Sequence, residues 1–318
     1  MYRNWGRTAI VVIGWLAVAV GLFGTALHWS NSAYRPFVLL ASFAPYVMSA
    51  GVLGLLVLLG VRHWPGVVAA GLVVGAALWT QVPAYVANGA GGSGPELTLM
   101  QANILFGGGD AEAIVSAVGA HDVDVLTLEE LTDEGLAKLE AEGIDRLLPY
   151  RFVEAGPGAV GTGIWSRYPL EQGVKYEGFI LDQLSARLIL PTGRATVFAF
   201  HPVPPYPGGP QRWITEMERI REILDAVPAD SGPVLVGADF NATRDHSRFR
   251  ELVDGRFEDA ADQSGAGLLA TYPADRWWPA VIGIDHVLVA GATASEVVAV
   301  TIPGSDHKAV IAKIRLGA

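Results

Sequence analysis

The sequence predicts an α/β domain preceded by three transmembrane helices. Three observations predict it. Residues 1–95 contain no Asp or Glu and only four basic residues, Arg3, Arg7, Arg35 and Arg62. All 32 acidic residues and the other 18 basic ones fall in residues 96–318, which leaves that region at −14. Such asymmetry marks two regions in two environments. The second region alternates short apolar runs with amphipathic ones, the pattern of mixed strands and helices. There is no Cys, so disulfides, thiolate metal sites and Cys nucleophiles are excluded.

Residues 8–27 form a charge-free run of twenty, long enough as a helix to cross a hydrocarbon core of about 30 Å. Residues 37–61 and 66–86 are the second and third such runs. Gly14, Gly21, Pro45, Gly54, Gly71 and Gly75 lie inside them, as membrane helices tolerate. A cleaved signal peptide is the alternative for the first run, but no Ala-x-Ala site follows it and two further runs do. Arg3, Arg7 and Arg62 flank one side and Arg35 the other. The bias places the N-terminus inside and residue 88 onward outside the cytoplasm. Residues 88–95, Asn-Gly-Ala-Gly-Gly-Ser-Gly-Pro, are a flexible linker by composition. The division is therefore a membrane domain over 1–87, the linker, and a catalytic domain over 96–318.

The domain opens with a strand over residues 96–104, carrying Gln101 and Asn103 toward its end. Asp110 caps a helix with Ile114, Val115 and Val118 as its apolar positions. The three glycines before it read as a plain turn. Residues 125–128 form a second buried strand that delivers Glu129 and Glu130. Two acids there do not serve packing, so one is expected solvated and the other a ligand. Residues 133–142 are helical by pattern, and 160–165 is another strand followed by a turn. Residues 186–190 and 195–200 make a hairpin ending at His201. Residues 213–224 form an amphipathic helix. Val234, Leu235 and Val236 then begin a strand running into Gly237, Ala238, Asp239, Phe240 and Asn241. On a strand i and i+2 share a face, so Asp239 and Asn241 project together; an Asx turn closing the strand is the plainer reading. Residues 282–289 and 309–314 are the last strands, with Asp285 in the first and Asp306 and His307 before the second.

Strand ends thus offer Asn103, Glu130, His201, Asp239, Asn241, Asp285, Asp306 and His307. Hard oxygen ligands and imidazoles without thiols suit Mg²⁺ or Mn²⁺ and phosphate rather than zinc. Each has a bland reading alone: His201 can end an edge strand, and Asp285-His286 can be turn residues. His28, His63, His121 and His246 are read as satisfied or surface histidines.

Asn103, Leu128-Glu129-Glu130, His201, Gly237-Ala238-Asp239-Phe240-Asn241, Ile284-Asp285 and Ser305-Asp306-His307 occur in the order found in the endonuclease/exonuclease/phosphatase superfamily, which this region resembles. Ala238 stands where the usual Gly-Asp-Phe-Asn has glycine, and Glu129 where the usual Leu-Gln-Glu has glutamine. The resemblance implies a four-layer α/β sandwich of two packed, mainly antiparallel sheets flanked by helices. It also implies Glu130, Asn103 and Asp306 at a Mg²⁺ site and Asp239 activating water. Asn241 would hold the water or a phosphate oxygen. His201 and His307 would donate to phosphoryl oxygens, and Asp285 would orient His307. Thr243 would support the loop.

Fold does not select the substrate. A nucleic-acid binder needs a basic surface; this region is at −14 with four lysines. Arg212, Arg244, Arg248 and Arg250 are the candidates for a local basic patch. Trp277 and Trp278 sit near the inferred site, either buried in the core, the commoner fate, or exposed toward a lipid substrate. By architecture the chain resembles the VanJ-like membrane proteins linked to teicoplanin and vancomycin resistance. That resemblance implies a membrane-anchored Mg²⁺-dependent phosphoesterase acting outside the cytoplasm on a phosphorylated or pyrophosphate-linked envelope lipid. A membrane-anchored nuclease and a non-catalytic binding protein are the alternatives.

Overall fold

The computed structural model describes residues 2–89 and 94–317, so the middle of the predicted linker, residues 90–93, lies outside the described residues. Two compact units emerge. The first comprises Met1–Pro83 with Arg244–Ser247, the second Ala84–Thr243 with Arg248–Ala318.

The first unit is helical: α1 (Tyr2–His28), α2 (Arg35–Ala41), α3 (Ala44–Gly60) and α4 (Trp64–Gln81). Glycines bring α1 and α3 backbone to backbone. A Cβ on Gly21 would run into Gly51, and one on Gly24 into Met48. Small residues let membrane helices approach this closely. The helices α1 and α4 are each long and apolar enough to cross a membrane. The second apolar run is broken: α2 and α3 meet at 74°, and only as one bent span do they make a third crossing. Pro45 explains the break. It sits in the first turn of α3, where its missing N–H is harmless, whereas in one unbroken helix it could not bond the carbonyl of Ala41, where α2 ends, and its ring would clash with it. With 17 residues, α3 alone reaches roughly 26 Å. No local pattern marks Arg244–Ser247 as part of this unit. There His28 Nδ1 lies 2.7 Å from Asp245 Oδ1, and Gln81 Nε2 donates to the same oxygen at 2.9 Å. His246 Nε2 lies 2.9 Å from the Val38 carbonyl. Both histidines are buried and satisfied.

The second unit contains twelve strands among the described residues. They are β1 (Glu96–Asn103), β2 (Val125–Glu129), β3 (Tyr150–Glu154), β4 (Thr162–Ser166), β5 (Leu170–Lys175), β6 (Leu184–Leu190), β7 (Gly193–Phe200), β8 (Val234–Asp239), β9 (Glu258–Asp259), β10 (Asp285–Ala290), β11 (Ala292–Thr301) and β12 (Lys308–Leu316). Between them run α5 (Ala111–Ala120), α6 (Asp133–Glu142), α7 (Ile144–Leu147), α8 (Pro210–Asp225), α9 (Ser247–Leu252) and α10 (Ala260–Ser264). One sheet has the order β11-β12-β1-β2-β4-β3, the other β5-β6-β7-β8-β10-β9. Most pairings are antiparallel; β1 with β2 and β7 with β8 are parallel.

The two sheets face each other across one apolar core. Leu97 and Leu99 of β1, Val125 of β2, and Val310, Ala312 and Ile314 of β12 meet Val197 and Ala199 of β7, Leu235 of β8, and Val287 and Val289 of β10. Outside the first sheet, Met100, Ala102, Leu126 and Leu128 pack with Ile114 and Val118 of α5 and Leu139 of α6. On α8, Trp213, Met217 and Ile220 are buried, and Trp213 Nε1 donates to the Phe240 carbonyl at 3.0 Å. Two mixed sheets flanked by helices make the α/β sandwich. The capped helices stand where the sequence places them: Asp110 accepts from Ala113 N, and Thr132 from Gly135 N ahead of α6.

Because strand side chains alternate, each inner row can be read to its end. On β1 the row is Leu97, Leu99, Gln101, Asn103; on β2 it is Val125, Thr127, Glu129. On β8 it is Leu235, Gly237, Asp239, and on β10 Val289, Val287, Asp285. Every row turns from apolar to polar at the same end of the sandwich. The polar ends converge between the sheets, and that is where the site lies.

Candidate active site

All eight residues singled out in the sequence are linked by contacts of 4.0 Å or less. Asn103, closing β1, is the tie between the sheets. Its Nδ2 donates to Glu130 Oε1 and to Asp239 Oδ2, each at 3.0 Å, while its Oδ1 accepts from Leu105 N. Glu130 follows β2 with φ +59° and accepts from Phe106 N through its other oxygen at 2.9 Å. Asp239 Oδ2 also lies 3.5 Å from His201 Nε2 and 3.8 Å from His307 Nδ1. His307 Nδ1 is 2.9 Å from Asp285 Oδ2, and its Nε2 is 3.9 Å from Asp306 Oδ1.

Asn241 is placed differently from the same-face strand reading. The strand β8 ends at Asp239, and Asn241 has φ +51°. Asp239 Oδ1 accepts from Asn241 N at 2.9 Å, an Asx turn. The turn still keeps Asn241 at the site, since its Nδ2 donates to the carbonyl of Pro202, next to His201. The Asx-turn reading of this stretch holds, and the same-face strand reading does not. Asp285 and His286 lie on β10 rather than in a turn. Glu129 is a further correction. The last residue of β2 is not a solvated acid: Glu129 sits on the inner row, 0% exposed, accepting from Gln101 Nε2 at 2.9 Å. Burial raises its pKa well above the carboxylate range.

Electrostatics separate the two histidines. Burial lowers His201, which favours the neutral ring. Burial would lower His307 too, but Asp285 and then Asp239 outweigh it and push it up to about 10. His307 is therefore an imidazolium at neutral pH. Burial raises Asp239, and the neighbouring Asp285 adds to the rise. Asp285 goes the other way: burial would raise it, but the charge and hydrogen bond of His307 hold it below its ordinary value.

Asp239, Asp285 and His307 offer ligand atoms that all lie within 4.8 Å of one another. Asp306 Oδ1 is buried without a hydrogen-bond partner among the described residues, and burial raises its carboxyl. An orphaned carboxylate oxygen on a group that feels the charge of Glu130, in a site rich in oxygen donors, fits a hard divalent cation.

Several supporting residues carry little signal in the sequence. Gln101 Nε2 donates to Glu129 and, at 3.0 Å, to Asp285 Oδ1; its place two residues before Asn103 on the same face could have revealed it. Gln183 holds the backbone of His201 from both sides, accepting from its N–H and donating to its carbonyl, each at 2.7 Å. Ser305 Oγ donates to the Asn103 carbonyl and accepts from His307 N. His286, buried behind the Asx turn, has Nδ1 2.8 Å from Asp259 Oδ2 and Nε2 2.9 Å from the Ala242 carbonyl. Thr243 is buried. Partners on different strands leave no local pattern.

The model of the Endonuclease/Exonuclease/phosphatase family matches residues 100–307, which takes in the whole of this constellation. No match was found among curated proteins. Several solved structures are similar. A humanized D. rerio TDP2 carrying 14 mutations has a TM-score of 0.59 at 14% identity, over 69% of this chain and 99% of that one. An endonuclease/exonuclease/phosphatase family protein from Bacteroides thetaiotaomicron has a TM-score of 0.54 at 15% identity, over 71% of this chain and 100% of that one. A truncated Caenorhabditis elegans TDP2 has a TM-score of 0.53 at 18% identity, over 69% and 97%. At such identities the likenesses show the fold.

Proposed function

The chain belongs to the endonuclease/exonuclease/phosphatase family, and from that membership we propose that it is a membrane-anchored, divalent-metal-dependent phosphoesterase acting on a lipid-linked phosphate or pyrophosphate outside the cytoplasm. One observation carries the chemistry. A buried carboxylate, Asp239, stands between two buried histidines, 3.5 Å from His201 and 3.8 Å from His307.

Glu130 and Asp306, with Asn103, would hold the metal, and oxygen donors without thiols point to Mg²⁺ or Mn²⁺. When bound, such a cation neutralises phosphate charge and polarises a phosphoryl oxygen. Asp239 orients the attacking water and takes its proton, a role that a carboxyl raised by burial suits. Asn241, locked by the Asx turn, holds that water or a phosphate oxygen. The His307 imidazolium donates to the phosphoryl oxygens as charge develops, and Asp285 fixes its ring. His201 donates from the other side as a neutral ring.

Two features favour a lipid-linked substrate. The chain carries two helices able to cross a membrane, or up to three. Three of the four arginines that a nuclease could use as a basic patch are engaged within the chain: Arg212 pairs with Glu216, and Arg248 with Glu218 and Glu251. Arg244 Nη1 donates to the Thr80 carbonyl. An envelope lipid and a part in glycopeptide resistance rest on the architectural resemblance to VanJ-like proteins. The test is a screen of the detergent-purified chain with Mg²⁺ and with EDTA, on prenyl pyrophosphates, lipid phosphates and DNA. EDTA-sensitive turnover of the lipid-linked substrates supports the reading. Turnover of DNA alone replaces it with a membrane-anchored nuclease, and binding without turnover makes the chain a binding protein.

A further inference from the structure

Residues 273–281 form a loop whose base is closed and whose tip is bare. Tyr272 and Ile282 bridge the base, exchanging N–H to carbonyl bonds of 2.9 and 3.0 Å. That base stands against the site. The Tyr272 ring centroid is 4.9 Å from that of His307, and Ala274 N donates to the Asp306 carbonyl at 2.7 Å. Past Ala274 the charge cancels, with Arg276 Nε 3.2 Å from Asp275 Oδ1. Then come Trp277, 92% exposed, and Trp278, 41% exposed, their rings 5.2 Å apart and nearly perpendicular. Phe106, whose N–H is bonded to Glu130, is a further exposed aromatic on a residue touching the site.

A solvent-facing indole gives up its burial, and two in succession on a loop rooted at the site are a feature to be accounted for. Indoles suit a boundary that is wet on one side and apolar on the other. Bases of single-stranded nucleic acid also stack on aromatics, but that mode needs a positive groove, and this unit lies in the −14 region with Arg212 and Arg248 committed to carboxylates. The chain's own helices are long and apolar enough to cross a membrane, which favours a lipid.

We propose that Trp277 and Trp278 are substrate-binding residues that hold the apolar chain of a lipid-linked phosphate next to the point where its phosphate enters among His201, Asp239 and His307. The proposal rests on the lipid-phosphoesterase reading above and adds the subsite that selects for the chain. The loop sets affinity for chain-bearing substrates and takes no part in bond breaking.

The experiment uses the full-length protein in detergent with Mg²⁺. Trp277→Ala, Trp278→Ala and the double variant are compared with the parent on two pyrophosphates of one head group, a long-chain prenyl pyrophosphate and dimethylallyl pyrophosphate. Loss of apolar contacts of this size weakens binding by about 10- to 100-fold. The double variant should raise KM for the long-chain substrate by that factor, with kcat unchanged and kinetics on the short substrate like the parent's. Trp277→Phe should retain most of the parent's affinity. Parent and double variant discriminating equally between long and short chains would overturn the subsite while leaving the phosphoesterase reading intact. A parent that hydrolyses single-stranded DNA and neither pyrophosphate would overturn both. Circular dichroism confirms that each variant is folded.

Discussion

His307 Nδ1 lies 2.9 Å from Asp285 Oδ2, and both side chains are buried between the sheets. Such a pair ties stability to pH. The His307 pKa is raised to about 10 in the folded chain, against about 6.5 when unfolded. Its contribution is fully present below pH 6.5 and is lost as pH rises through 10. The thermal midpoint of EDTA-treated protein should therefore fall between pH 7 and 10, and His307→Gln should flatten that fall. An unchanged slope in the variant would mean that the pair carries no linkage.

Glu130 accepts from Asn103 and Phe106 and has no role in the apolar core. Glu130→Ala should weaken Mg²⁺ dependence and turnover by at least about tenfold, the lower end for a lost metal-site contact, with little change in thermal midpoint. A Mg²⁺ titration of activity checks this, and near-normal turnover at low Mg²⁺ would remove Glu130 from the metal site.

Gly237 occupies the inner row between Leu235 and Asp239, where a Cβ would run into Thr127 Oγ1. Gly237→Ala should destabilise the domain by about 1–3 kcal/mol through overpacking, read as a lower denaturant midpoint. The neighbouring Ala238 faces the other way and is fully buried without such a clash, which is why alanine is accepted there.

The arginine asymmetry makes a topological prediction. A reporter active only in the cytoplasm, fused after Ala318, should be silent. A signal there would reverse the assigned orientation.

Much of this was legible in the residues because the signals are local. The helical pattern over residues 133–142 marked α6, and the paired apolar runs 186–190 and 195–200 marked the β6–β7 hairpin. The polar residues closing apolar strands marked the site. The missed strands are those whose burial comes from neighbours rather than from a run of their own. The strand β5 is exposed along nearly its whole length, and β11 is half-buried, with a register shift between Ala294 and Glu296. Asn241 was reached by the wrong geometry, since a left-handed residue after a strand leaves no periodic trace. The docking of Arg244–Ser247 into the helical unit depends on His28 and Gln81, far away in sequence, and so was invisible.

In the proposed chemistry Asp239 activates water for attack on a phosphate. Asp239→Asn keeps the shape and the Asx turn's reach but removes the base. A positioned base is worth about 10²–10⁴-fold, and the single donor lost in His307→Ala about 10²–10³-fold. Because both act on one transition state, the double variant should lose less than the product of the two. His121, which caps the end of α5, supplies the control. The deciding measurement is kcat with Mg²⁺ on the phosphoester that the parent hydrolyses, for Asp239→Asn, His307→Ala, the double variant and His121→Ala. Folded Asp239→Asn and His307→Ala proteins should be slowed by at least about 100-fold beside an unaffected control. Folded single variants that keep a tenth or more of the parent rate would contradict the proposed chemistry.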